Sequence, residues 1–296
     1  MNKNIELNNI NKIIKKEKKM NKKIQIILTI ILIIKSESIL HRRSFSYLNP
    51  HKTYITAHRG VNRELPENTY SAFKRAIDFD VDGIELDIWL TKDKIPVVIH
   101  GGSNGEISST MDHSGLVTDF TYDELKQFHT KNGYEVIPSL EDIFKLCKNN
   151  IFINIEIKDK RIDEVFNVLI KLIEDYDMND QIQISSFHYD YYDKVKNYNE
   201  KHEKKIEFGF IYSPGAIPEL KYNLTTINIH HTDANEDIVK KAHNMGIGVM
   251  TWFSMTNVED TLEYERLVKM GVDIICSNDS LFAKKFRDHY FTFNNV

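Results

Sequence analysis

Seven side chains between residues 58 and 158 carry the groups that acid–base, metal or phosphate chemistry would need. His58 and Arg59 precede Gly60 at the end of "TYITAHRG", and His100 closes "KIPVVIH". Glu85 and Asp87 stand two apart in "GIELDIWL", as Glu156 and Lys158 do in "NIEIK". Side chains alternate between faces along a strand, so residues two apart share a face. Glu85, Asp87 and Glu156 gathered in one mouth would repel one another unless a cation lay among them. An all-oxygen set suits one hard divalent ion, Mg²⁺ or Ca²⁺, better than zinc. Such an ion beside Arg59 and Lys158 describes a place for an anionic, phosphorylated ligand. His58 and His100 could divide the proton transfers, one deprotonating an attacking hydroxyl or water and the other protonating a leaving oxygen. Trp252, at the end of a late strand, is expected to line the pocket. His230 and His231 are adjacent, so at most one can face inward, and they stay outside the catalytic set.

These side chains can meet only if the elements carrying them end on one face. From about Thr53 the chain alternates short β-rich runs with longer amphipathic segments. Strands are expected at 53–60, 83–90, 151–157, 182–187, 206–212, 225–231, 246–253 and 272–276, with a further extended piece at 94–100 after a tight turn at 91–94. A helix over 67–79 puts Tyr70, Phe73 and Ile77, with Ala72 and Ala76, on one face. Further helical segments fall at 163–176, 191–198, 235–245 and 258–271, the last stopped by Gly271. Cys147 falls on another, "SLEDIFKLCKNN". Residues 101–138 read as an excursion containing one short helix, "TYDELKQF". Eight strands, each followed by a helix or an excursion, over about 245 residues give the expected fold: α/β, a (β/α)8 barrel with a small insertion after the second strand. A doubly wound open sheet is the competitor, but neither a Gly-rich dinucleotide fingerprint nor a phosphate loop follows the first strand.

Composition agrees with a globular enzyme-sized domain. Of 296 residues 41% are hydrophobic and 28% charged, which excludes a disordered, collagen-like or disulfide-scaffold chain. The net charge of −4 gives no support to a nucleic-acid binder. That charge is unevenly spread: residues 1–23 carry eight Lys and two Glu, net +6, which leaves −10 for the rest. "IQIILTIILII" (24–34) follows. As a helix it would cover roughly half of a bilayer core, too short for a clean span but the length of a secretory signal's apolar centre. Residues 1–50 are therefore expected to be a targeting or membrane-anchor segment, with possible membrane association through 24–34, and 51–290 the barrel. A secretory, extracellular or membrane-associated location follows, with a cytoplasmic one left open, because two cysteines that read as small buried hydrophobes favour neither compartment.

The residues also carry a resemblance. "AHRG" (57–60), the run 66–100 from "PENTY" to "VVIH", "IPSLEDIF" (137–144), "INIEIK" (153–158), "ISSF" (184–187), "GVMTWFSMTN" (248–257) and "GVDIICSN" (271–278) resemble the glycerophosphodiester phosphodiesterase family in order and spacing. The resemblance implies a (β/α)8 barrel hydrolysing glycerophosphodiesters to glycerol 3-phosphate and an alcohol. It further implies acid–base roles for His58 and His100, a metal set of Glu85, Asp87 and Glu156, and phosphate contacts from Arg59 and Lys158. Glu67 and Asn68 match the stretch that buttresses such a site. The sequence departs from the pattern where the family has Asp after its second histidine and then Arg-Thr-Thr; here stand Gly101 and Ser108-Ser109-Thr110. That loop is expected to border the substrate mouth. Two other readings share the residues: lysophospholipase D-type hydrolysis of lysophospholipids, and a barrel that binds a phosphate ligand without turnover. In each, the partner is a small-molecule or lipid-derived phosphodiester.

Overall fold

The computed structural model describes residues 52–131, 133, 135–220 and 224–293. The basic head and the apolar run 24–34 lie outside the described residues, and so does the boundary expected near residue 50. Nine strands follow in order: β1 (Tyr54–His58), β2 (Gly83–Leu90), β3 (Pro96–Val98), β4 (Phe152–Ile157), β5 (Ile182–Ser186), β6 (Glu207–Ile211), β7 (Thr226–His230), β8 (Gly248–Trp252) and β9 (Ile274–Ser277). All neighbours pair in parallel except β2 and β3. β1 pairs with both β2 and β9, which closes eight strands into a barrel and leaves β3 as an antiparallel appendage on β2. The eight expected barrel strands all form, and the extended piece at 94–100 is β3.

Alternation explains how each strand serves two environments. In β2, Ile84, Leu86 and Ile88 join the main apolar core, while Glu85 and Asp87 take the opposite face. β4 repeats this, with Ile153, Ile155 and Ile157 in the core and Asn154 and Glu156 opposite. Tyr54, Phe152, Met250, Ile274 and Cys276 form a separate apolar cluster. Met250 and Cys276 also line the cavity that holds the polar groups, so this cluster floors it.

Eight helices are described: α1 (Tyr70–Asp78), α2 (Tyr122–Leu125), α3 (Leu140–Cys147), α4 (Ile162–Asp175), α5 (Tyr189–Lys201), α6 (Glu236–Asn244), α7 (Thr261–Lys269) and α8 (Ser280–Phe293). Two begin three residues later than expected from the sequence, for the same reason. Thr69 caps α1 by accepting from Ala72 N, and Asp260 caps α7 by accepting from Glu263 N. Tyr70 is consequently 45% exposed, while Ala72, Phe73 and Ala76 are buried. The link from β6 to β7 shows no helix among the described residues. α8, absent from the sequence reading, carries Arg287, whose guanidinium donates to Thr53 O at 2.7 Å and to Asp82 Oδ2 at 2.6 Å. It thereby ties the last helix to the seam between β1 and β2.

The turn after β1 depends on a residue without a side chain. Gly60 has φ +82°, and a Cβ there would lie 2.8 Å from Ala72 Cβ and 2.9 Å from the Ala72 carbonyl carbon. That closeness lets Val61 N donate to Ala72 O at 3.1 Å, which docks the turn on α1. Gly60→Ala is expected to cost about 2 kcal/mol, read as a lower urea midpoint at unchanged slope; an unshifted midpoint would refute this account of the turn.

Candidate functional site

Strand register alone assembles most of the site. His58 lies opposite Glu85 across β1–β2, and Asp87 opposite Glu156 across β2–β4. Oxygens of Glu85, Asp87 and Glu156 all lie within 4.8 Å of one another. Arg59 and Lys158 stand among them. Arg59 Nε is 3.2 Å from Asp87 Oδ2, and Lys158 Nζ is 3.0 Å from Glu156 Oε1 and 3.9 Å from Asp87 Oδ1. Arg59 has φ +56°, a conformation that turns its backbone N–H onto Glu85 Oε2 at 3.0 Å. Glu67 accepts from Arg59 Nη1 through both oxygens at 3.1 Å. Asn68, also at positive φ, donates from Nδ2 to Asp87 Oδ2 at 2.9 Å. Glu67 and Asn68 thus belong to the turn that supports the site and not to the first turn of the helix.

Each histidine is held in a definite tautomer. His58 Nδ1 meets Asn278 Oδ1 at 2.7 Å, and Asn278 Nδ2 donates to Ser254 O at 3.1 Å. The amide oxygen therefore faces the ring, the proton sits on Nδ1, and Nε2 keeps a lone pair 3.9 Å from Glu85 Oε2. Burial, helped by Arg59, lowers the His58 pKa to about 3. His100 Nε2 accepts from Lys158 Nζ at 3.3 Å, and burial together with Arg59 and Lys158 lowers its pKa to about 4, against the pull of Asp87. Both rings are neutral at pH 7.

The carboxylates divide unequally. Burial would raise Asp87, but Arg59, His100 and Lys158 outweigh it and hold the pKa at about 2. Glu85 is pushed well up by burial and then by Asp87 and Glu156, and Glu156 is raised chiefly by burial. Asp87 Oδ1 is buried without a hydrogen-bond partner. A converging trio of carboxylates with an orphaned oxygen fits a hard cation.

The trio opens into a cavity of ≈ 290 Å³. His58, Arg59, Glu85, His100, Glu156 and Lys158 form its polar side, and Phe187, Ile211, Met250, Trp252 and Phe253 its apolar side. Trp252 thus lines the pocket as expected. Neither adjacent histidine lines it: His230 bonds Thr232 and Asn257, and His231 bonds Glu263. Gly101 and Gly102 do not line it either. Gly101 has φ +66°, Trp89 Nε1 donates to His100 O at 3.0 Å, and a Cβ at 101 would lie 2.6 Å from that nitrogen. In place of the family's Asp the chain has a glycine over which Trp89 pins the His100 carbonyl.

Sequence reasoning missed Asn278 and its support, Glu259, which accepts from Asn278 N at 2.9 Å and from Ser277 Oγ at 2.5 Å. No local signal in the sequence pointed to them: Ala57 pairs with Ser277, so Asn278, just after the last strand, neighbours His58 only once the barrel closes.

Residues 58–281 match the model of the glycerophosphoryl diester phosphodiesterase family. The chain belongs to that family. Among curated proteins, the glycerophosphodiester phosphodiesterase of Caldanaerobacter subterraneus is 34% identical over 242 residues, covering 77% of this chain and 95% of that one. Among solved structures, an Oleispira antarctica phosphodiesterase in complex with the product sn-glycerol-3-phosphate superposes with TM-score 0.69 at 22% identity, over 80% of this chain and 98% of that chain. A glycerophosphodiester phosphodiesterase from Parabacteroides distasonis gives TM-score 0.67 at 23% identity, over 81% and 98%. At these identities the structures establish the shared fold, the barrel of this family.

Raised pKa values at Glu85 and Glu156 mean that a cation must displace protons to bind, so its affinity falls as pH falls. Titration with Mg²⁺ or Ca²⁺ is expected to raise the melting temperature by roughly 5 °C or more at hundredfold excess over Kd. The rise is larger at pH 8 than at pH 5 and absent from a Glu85→Gln/Glu156→Gln variant. An equal rise in that variant would place the cation elsewhere.

Proposed function

We propose that this chain is a metal-dependent phosphodiesterase that hydrolyses glycerophosphodiesters to glycerol 3-phosphate and an alcohol. The observation that carries the reading is the carboxylate trio of Glu85, Asp87 and Glu156, flanked by two cations and two neutral histidines in one cavity of a family barrel. The product bound in the Oleispira antarctica phosphodiesterase supports the same substrate class.

Glu85, Asp87 and Glu156 would hold one divalent ion, Mg²⁺ or Ca²⁺, which when bound neutralises phosphoryl charge and makes the nucleophile more acidic. Arg59 and Lys158 supply fixed positive charge to the phosphate, oriented by Glu67 and by Glu156. His58 Nε2, unprotonated, takes the proton as the nucleophile's oxygen bonds to phosphorus. The P–O bond to the alcohol breaks, the neutral His100 gives its N–H proton to the departing oxygen as its Nε2 takes one from Lys158, and the proton held by His58 passes to solvent, from which Lys158 is recharged. Lys158, in contact with His100 Nε2, is the cation best placed to support that transfer. The nucleophile is water, or the substrate's own glycerol hydroxyl if a cyclic phosphate is detected.

A partly exposed apolar rim, Phe187 and Met255, favours lysophospholipids as the second reading, separated by comparing rates on water-soluble diesters and on lysolipids. Among the described residues no helix is long and apolar enough to cross a membrane. Secretion or membrane association rests on the sequence of residues 1–50 alone.

His58→Ala and His100→Ala should each reduce glycerol 3-phosphate release from glycerophosphocholine or glycerophosphoethanolamine by about 10²- to 10⁴-fold. Wild-type rates in both variants would overturn the assignment, and tight substrate binding without turnover in Mg²⁺ and in Ca²⁺ would point to a binding protein.

A further inference from the structure

A phosphodiester has two ester arms, and the cavity of ≈ 290 Å³ beside the carboxylate trio is one space for them. Beside it lies a second, more open groove of ≈ 410 Å³, whose lining includes Asn62, Arg63, Glu67, Thr110, Thr130 and Lys131. Met255 lines both spaces, so they adjoin. Two side chains of the groove also touch the machinery: Asn62 Nδ2 donates to His58 O at 2.7 Å, and Glu67 grips Arg59. A ligand in the groove would therefore sit against the His58–Arg59 side of the phosphate position.

The groove's polar groups are largely uncommitted. Asn62 Oδ1, Thr110 Oγ1 and Thr130 Oγ1 are buried without a hydrogen-bond partner, and Thr130 as a whole is only 6% exposed. Orphaned polar atoms of this kind are costly unless a ligand or water meets them. The acidic groups are spoken for, Glu64 by Arg75 and Glu67 by Arg59. Among the described residues, Arg63 and Lys131 form no ion pair with any carboxylate. What the groove offers is two free cations and three unmet hydrogen-bonding oxygens.

Building on the hydrolase reading above, we propose that this groove is the subsite for the alcohol arm, and that it selects alcohols bearing further hydroxyls or a negative charge over cationic ones. Thr110 and Thr130 bond the hydroxyls, and Arg63 and Lys131 attract the anionic group and repel a quaternary ammonium. The loop that departs from the family pattern thus contributes Thr110 to substrate choice.

Selectivity between diesters tests this, because a ratio of kcat/KM values is insensitive to partial loss of folded enzyme. Glycerol 3-phosphate release is measured from glycerophosphoglycerol, glycerophosphoserine and glycerophosphocholine. The wild type is expected to favour the first two by about tenfold over the third, the scale of one charge-assisted hydrogen bond. Arg63→Gln/Lys131→Gln should pull the serine-to-choline ratio towards one, and Thr110→Val/Thr130→Val the glycerol-to-choline ratio. Turnover of all three with ratios that neither variant moves would overturn the groove while leaving the hydrolase reading intact. No glycerol 3-phosphate from any of the diesters, with Mg²⁺ or Ca²⁺ present, would overturn both.

Discussion

Three carboxylates confined to a few ångströms inside a barrel cannot all keep their charge unaided. The architecture around Glu85, Asp87 and Glu156 answers that repulsion. Asp87, wholly buried, stays ionised because Arg59 and Lys158 stand on either side and Asn68 donates to it. Arg59 is in turn fixed by Glu67, and its left-handed backbone by the glycine that follows it. Remove the cations and the trio would hold protons in place of charge. The same positive groups that make the cluster tolerable are the ones a phosphate would meet.

Against this electrostatic frame the neutral histidines make sense. A protonated ring beside Arg59 and Lys158 would add charge of the sign already present, and burial disfavours it further. Neutrality leaves each ring with one lone pair and one N–H, and the structure assigns them through Asn278 and Lys158. Among the described residues the two rings are held by an amide and an ammonium, and neither has a carboxylate as hydrogen-bond partner.

Much of this was legible in the sequence because strands write their two faces in alternate letters. Glu-x-Asp and Glu-x-Lys within isoleucine-rich runs announce polar groups turned into a barrel, and all ten residues singled out from the sequence have a place in or against the site. Two kinds of information were not legible. Asn278 lies 220 positions from His58, and only strand register, a property of the closed sheet, makes them neighbours. The helix starts after Thr69 and Asp260 were placed three residues early, because the polar residues before each cap read as a first helical turn. α8 escaped because its amphipathic pattern is weak, with a buried arginine interrupting the face that Ala283 and Phe286 lay on the core.

The seam between the first and last strands has a consequence for how the molecule is made. The carboxylates come from β2 and β4, which are synthesised early and pair with each other. His58 acquires its fixed tautomer only when Asn278 arrives with the final strand, and Arg287 of the last helix then staples Thr53 and Asp82 together. The pairing that brings the carboxylates together thus needs no C-terminal element, whereas the orientation of His58 does.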